Sequence, residues 1–122
     1  MPESIETVTV SDVVRRAVAI ADPEGADAIA PELVLAYEDD DRAAVGLGGS
    51  LWDELRSTVA GLDPEESSGA AAVAAATAFF LASQPEGGAD DATTMREAAR
   101  VAWQGDPPEH VRAWLSGQGL DD

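Results

Sequence analysis

The single histidine of this 122-residue chain, His110, is the only side chain that could carry imidazole-based acid–base chemistry. Asp106 lies four residues before it and Glu109 directly precedes it, so a helix here could hold Asp106 and His110 on one face as metal ligands. A surface histidine beside acids at a helix start is the alternative. The chain has neither a Glu-x-x-His nor a His-Glu-x-x-His spacing, so we predict no metal site and name Asp106 and His110 as the residues one would use.

Two loops could attract ions. The segment from Asp39 to Arg42 reads DDDR and could collect cations, but the glycine and glutamate of an EF-hand do not follow it in register. We expect diffuse binding of sodium or potassium there, and whether the loop holds a specific ion stays open. The stretch GLGGS at 46–50 precedes a predicted helix as a phosphate-binding loop does, but no lysine follows and nearby acids would repel phosphate. We therefore predict no cofactor.

Nucleophilic catalysis has no support in the residue pattern. The chain has no cysteine, and its serines and threonines share one histidine without a nucleophile-elbow motif. Two tryptophans are better candidates for a functional surface, because Trp103 and Trp114 could bracket an apolar patch that a partner covers. The alternative places both rings in the core. We predict no catalytic residue and take Trp103 and Trp114 as the interaction residues.

Helix-start and helix-stop residues divide the chain into five or six short helices, which predicts an all-α fold. The second helix has two readings, because Pro31 either kinks a helix that starts near Pro23 or begins a shorter one that ends near Glu38. Only IETVTV at 5–10 alternates like a strand, so we predict an extended arm over 1–10 and one helical domain over 11–118. The other predicted boundaries are Ser11 or Asp12 for the first helix, Ser50 and Gly61 for the third, Asp63 and Gln84 for the fourth, Asp90 or Asp91 and Gly105 for the fifth, and 106–109 for the start of the sixth.

The fourth predicted helix contains an uncharged run of 19 residues from Ser67 to Pro85, nominally long enough to cross a bilayer. Four strongly apolar side chains would contribute only about 2 kcal/mol to membrane insertion, and neither flank has the basic or aromatic anchors of a membrane span. Alanine combines high helix propensity with little bulk, so neighbouring helices can approach such a helix on all sides. We predict a compact bundle around this alanine-rich central helix, and no membrane partner.

The charge balance is strongly acidic: 24 Asp and Glu face seven arginines, lysine is absent and the net charge is −17. Self-repulsion of this size needs screening, which molar salt provides because the Debye length falls to about 3 Å. Abundant Ala, Val, Gly, Asp and Glu with few aromatics make the chain resemble the proteins of salt-in haloarchaea. The resemblance implies that the acidity is an adaptation to solvent, with diffuse monovalent cations at the surface. An acidic mimic of DNA, or a partner for a basic protein, is the alternative.

These observations favour a non-enzymatic module of protein–protein interaction or assembly: an adaptor, a regulatory subunit or a structural component that binds a protein partner or itself. The N-terminal MPESIETVTV has acids where a signal peptide would carry bases and an apolar core, so we expect a cytoplasmic protein. Net acidity disfavours binding to nucleic acid. The alternative function is a small-ligand or metal-dependent helical enzyme that uses carboxylates and His110.

Overall fold

The structure, a computed structural model, describes residues 9–25, 27–42, 49–65, 68–83 and 91–119. Over these residues the chain forms six α-helices and no strand, which confirms the all-α prediction. The helices are α1 (Val10–Ala21), α2 (Ala30–Ala36), α3 (Gly49–Leu62), α4 (Gly69–Ser83), α5 (Asp91–Trp103) and α6 (Glu109–Gly117).

The alanine-rich helix α4 lies at the centre of the bundle. It packs against all five other helices, and every residue from Gly69 to Ala78 is buried. Phe79 and Phe80, near its end, are half-buried against the core. A helix that is apolar all round needs this placement, because any face left in water would expose apolar surface. No helix in the described part of the chain combines the length and apolarity needed to cross a bilayer.

Helix α1 covers one side of α4 with a regular stripe of small apolar side chains. The buried residues follow helical spacing, with Arg15 and Arg16 on the exposed face. Thr9 caps the helix: its side chain accepts from the Asp12 backbone N–H, and the Asp12 carboxylate accepts from the Thr9 N–H. Helix α1 therefore begins at Val10, inside the segment predicted as an extended arm, and residues 1–8 lie outside the described part.

The starts of α2 and α4 depend on a network of polar side chains. Helix α2 takes the shorter of the two predicted forms, with Pro31 in its first turn. The predicted boundary of α4 at Asp63 is wrong, since α4 begins at Gly69 after Ser68, whose hydroxyl accepts from the Ala71 N–H at 3.0 Å. Asp63 follows the last residue of α3, and its carboxylate accepts from the Ser68 N–H at 2.8 Å.

The same serine ties α4 to α2. The Ser68 hydroxyl lies 2.9 Å from both carboxylate oxygens of Asp27, to which it donates. Asp27 Oδ2 also accepts from the backbone N–H groups of Ile29 at 2.9 Å and Ala30 at 2.7 Å, at the start of α2. Asp27 and Ser68 thus satisfy first-turn N–H groups of two helices and hold those helix starts together.

Helix α3 departs from its predicted ends by one residue at each side. Ser50 lies in its first turn instead of capping it, because α3 begins at Gly49, and Gly61 is followed by one more helical residue, Leu62. At the end of α5, the predicted stop at Gly105 is accompanied by Gln104 with φ of 55° and Gly105 with φ of 87°. The Gly105 N–H donates to the Arg100 carbonyl, a common way to end a helix.

Helix α6 crosses α4 at Gly69, the first residue of α4. A methyl group built on Gly69 would overlap the Cβ of Trp114 and lie 2.8 Å from the backbone oxygen of His110. The absence of a side chain at Gly69 therefore sets how closely α6 approaches α4.

Replacing Gly69 by alanine should lower the free energy of unfolding by about 1–3 kcal/mol, because α6 must move outward to admit the methyl group. Gly61→Ala is the matched control, since nothing lies within 4 Å of a methyl group there. It should stabilise the protein by up to about 1 kcal/mol through helix propensity. Urea unfolding followed by circular dichroism at constant KCl measures both, and equal effects would contradict the close crossing.

Candidate functional site

A cleft of about 330 Å³ runs along α4, with α3 on one side and the α5–α6 corner on the other. Ala72 and Ala75 of α4 line its floor with methyl groups only. Trp52 and Val59 line the α3 wall, and Trp103 and His110 belong to the opposite wall. Elsewhere on α4, small side chains let the neighbouring helices pack closely. At the cleft, Ala72 and Ala75 do not fill the space between the two walls.

Three aromatic rings from three helices meet beside this cleft, and two of them, Trp52 and Trp103, line it. Trp52 of α3 stacks on Phe79 of α4 with centroids 5.8 Å apart, and meets Trp103 of α5 edge to face at 5.2 Å and 85°. Both geometries are preferred by the ring quadrupoles. Trp52 is nearly buried at 9% exposure, whereas Trp103 is half-buried. Trp103 therefore presents part of its ring at the cleft, in edge-to-face contact with Trp52.

Charged and titratable groups also line the cleft. The guanidinium carbon of Arg56 lies 5.7 Å from the Trp52 ring centroid, and Arg56 Nη2 donates to Asp53 at 3.0 Å. The Asp63 carboxylate, 4% exposed, is held by the Ser68 N–H. His110 is half-buried at the start of α6. The cleft therefore brings an apolar floor, two indoles, a guanidinium, a carboxylate and an imidazole together.

The two candidate metal ligands, Asp106 and His110, have different surroundings. Asp106 precedes α6 instead of sharing its face with His110, and its exposed carboxylate accepts from Arg112 Nη2 at 3.1 Å. His110 lines the cleft, whose lining does not include Asp106. No group of three or more histidine, aspartate or glutamate side chains able to hold a metal ion occurs among the described residues.

The two candidate interaction residues also separate. Trp103 lines the cleft, whereas Trp114 lines a second cavity of about 340 Å³ between the ends of α1 and α6, beside Asp22 and Asp27. The ring that contacts Trp103 is Trp52, which is not among the predicted interaction residues. Trp52 directly follows the buried Leu51, so its helical position gave no signal of a surface role.

The acidic loop at 39–42 contains a structural ion pair. Arg42 Nη2 lies 2.6 Å from Asp40 Oδ2 and 2.6 Å from Glu54 Oε2. Both contacts are bidentate, because Arg42 Nε also donates to Asp40 Oδ1 and Nη1 also donates to Glu54 Oε1. Hydrogen bonds from Arg42 hold the pKa of the Asp40 carboxyl below its usual value, and these acids raise the pKa of Arg42. The backbone oxygens of Asp40 and Arg42 accept from the first N–H groups of α1. The GLGGS residues 46–48 lie outside the described part.

Tyr37, another titratable group near this loop, has a structural place. Thr58 donates its only hydroxyl hydrogen to the Glu54 backbone oxygen at 3.0 Å, so Tyr37 must be the donor in its 2.8 Å bond to Thr58. Burial is the main reason that the pKa of Tyr37 is raised. The phenol therefore stays protonated and links α2 to α3.

Asp40→Asn should remove a pH-dependent part of the stability. A carboxyl whose folded pKa lies below its ordinary 3.8 stabilises the fold fully above that pH, and loses this contribution as pH falls through the folded pKa. The difference in unfolding free energy between wild type and Asp40→Asn should therefore be largest near neutral pH and shrink in acid. Urea titrations across that range measure it. Asp39→Asn, which removes the same charge from an exposed position, is the control, and identical profiles for the two variants would contradict the ion pair.

The described residues thus assemble one site with several kinds of chemistry, the cleft beside Trp103. Aromatic and methyl groups offer apolar contact area, and Arg56 and His110 offer N–H donors at its edges. In comparisons with known proteins, the sequence matches no protein-family model, no curated protein and no solved structure.

Proposed function

We propose that the protein is a non-enzymatic interaction or assembly module that binds a protein partner through the cleft beside Trp103. The observation that carries this proposal is the contact of Trp103 with Trp52 over an alanine floor, with Arg56 stacked on the Trp52 ring. Tryptophan and arginine are the residue types most enriched at the energetic centres of protein interfaces, where they fill or line well-packed pockets.

The exposure pattern supports a binding role. Trp103 is half-buried although its neighbours Ala99 and Ala102 on α5 are buried, so part of a large apolar ring faces the cleft. Covering it would release water from apolar surface, which favours association. The ring is also held in place by Trp52, so little side-chain freedom would be lost on binding.

The charged groups of the cleft fit binding better than catalysis. Arg56 is paired with Asp53 and stacked on Trp52, and Asp63 accepts a backbone hydrogen bond. Because the Arg56 and Asp63 side chains are fixed by these bonds, they suit the positioning of a ligand. Proton transfer would require a group within hydrogen-bond reach of a reacting atom. The net charge of −17 disfavours a nucleic-acid partner. We place the module in the cytoplasm of a salt-in halophile, with monovalent cations screening its surface.

A photoreactive amino acid placed at position 60 tests the proposal. Ala60 is exposed and lines the cleft, two residues before the end of α3. In the cells that naturally make the protein, irradiation should yield one defined adduct. Mass spectrometry of the adduct then distinguishes a different protein from a second copy of this 12.6 kDa chain.

The matched control places the same photoreactive group at position 19. Ala19 is also exposed and also lies two residues before the end of its helix, α1, but it lines neither cavity. We expect no defined adduct from position 19. Equal adducts from both positions, or none from position 60, would refute the cleft as the binding face.

One observation favours a second candidate, a small-ligand or metal-dependent enzyme: His110 lines the same cleft as Asp63. This candidate predicts a stoichiometric transition metal in protein purified at native salt, lost on His110→Gln. Elemental analysis of both proteins measures it. Equal metal contents in the two proteins would show that the His110 imidazole does not bind the metal, which would refute this candidate.

A further inference from the structure

Resting on the proposed interaction role, we infer that the cleft receives a peptide segment of the partner that carries one large apolar side chain flanked by arginine or lysine. The apolar side chain would lie on the alanine floor against the paired rings of Trp52 and Trp103, and the basic residues would meet carboxylates close to the cleft. The shape of the cleft and the distribution of charge around it carry the two parts of this inference separately.

The size and lining of the cleft specify the apolar side chain. At about 330 Å³ it lies at the small end of the range for ligand pockets, which suits one large side chain better than a packed helix face. Its floor of Ala72 and Ala75 offers only methyl groups, and Val59 and the two indoles complete apolar walls. A leucine-like side chain would bury more apolar surface there than alanine, which would leave most of the space empty.

Acidic residues lie close to the cleft, because they directly adjoin lining residues in the chain. Exposed carboxylates occupy the positions next to three residues that line it: Asp53 follows Trp52, Glu65 follows Pro64, and Glu109 precedes His110. These acids belong to α3, the α3–α4 turn and α6, three of the segments whose residues line the cleft. A segment with bases on both sides of its apolar residue could meet acids in more than one direction.

The one guanidinium in the lining does not offset this charge. Arg56 is already bonded to Asp53 at 3.0 Å and stacked on Trp52, whereas Glu65 and Glu109 are exposed. The whole chain carries −17, so its field also attracts a basic segment before contact. An acidic segment would be repelled on both grounds.

Salt separates the two contributions. In molar KCl charges are screened beyond about 3 Å, so only direct contacts between bases and these carboxylates persist. Burial of the apolar side chain does not depend on that screening. The preference for basic flanks should therefore weaken as KCl rises, while the requirement for the central apolar side chain should remain.

Three short synthetic peptides without tryptophan test the inference: leucine flanked by arginines, leucine flanked by glutamates, and alanine flanked by arginines. Tryptophan fluorescence of the protein reports binding, because Trp52 and Trp103 line the cleft. The titrations use molar KCl and the lowest KCl at which circular dichroism shows an intact fold. We expect the arginine–leucine peptide to bind at least about tenfold more tightly than either of the others at the lower salt.

Two variants link that binding to the cleft. Ala60→Phe places a ring in the cleft from an exposed position and should weaken the arginine–leucine peptide by about tenfold or more. Ala19→Phe adds the same ring to an equivalent exposed position on α1 and should leave the affinity unchanged. Both replace alanine near the end of a helix, so helix propensity affects them alike.

Equal affinities for the arginine and glutamate peptides, for the leucine and alanine peptides, or for the two phenylalanine variants would each overturn the inference. The proposed function is judged separately. A defined adduct from position 60 together with equal peptide affinities would refute the basic–apolar segment and leave the interaction role standing. Absence of that adduct would refute the proposed binding of a partner through the cleft.

Discussion

The burial of α4 on every side is the constraint on which the rest of this structure depends. The helix has no charged residue and no polar face, so its stability in water requires that other helices cover its whole circumference. The remaining five helices each pack against it, and their apolar stripes face inward. The Thr77 hydroxyl of α4 is fully buried and has no hydrogen-bond partner among the described residues. Its burial without a partner lowers the stability of the fold.

Small side chains on a central helix have two opposite consequences in one molecule. At Gly69 the missing side chain lets α6 approach until Trp114 and the His110 backbone touch the helix. Farther along, Ala72 and Ala75 leave room because α3 and the α5–α6 corner stand apart over them. The large rings of Trp52 and Trp103 then border the space that the alanines do not fill, and the same composition that packs the core creates the cleft.

Ion pairs contribute less to this fold than the charge count suggests. Most of the bonded arginines contact an acid on their own helix or in the adjoining turn, and their side chains are about half exposed, so each pair adds little to stability. Arg42 differs, because it joins Asp40 to Glu54 of α3 in two-pronged contacts. The local pairs are Arg15–Asp12, Arg56–Asp53, Arg100–Glu97 and Arg112–Asp106. The acidic surface therefore bears on solvent and partners, while apolar burial holds the helices together.

The sequence by itself determined the features that depend on neighbours within a few turns: the all-α class, the stripe of α1 and the burial of the uncharged helix α4. Helical period and capping residues act over three or four positions, so they can be recognised in the chain alone. Only the tertiary structure decided that Ser68 starts α4 through Asp27, that Trp103 pairs with Trp52 and that His110 faces a cleft without Asp106. Those outcomes join residues tens of positions apart, and they depend on how α3, α5 and α6 seat on α4, which no local pattern encodes.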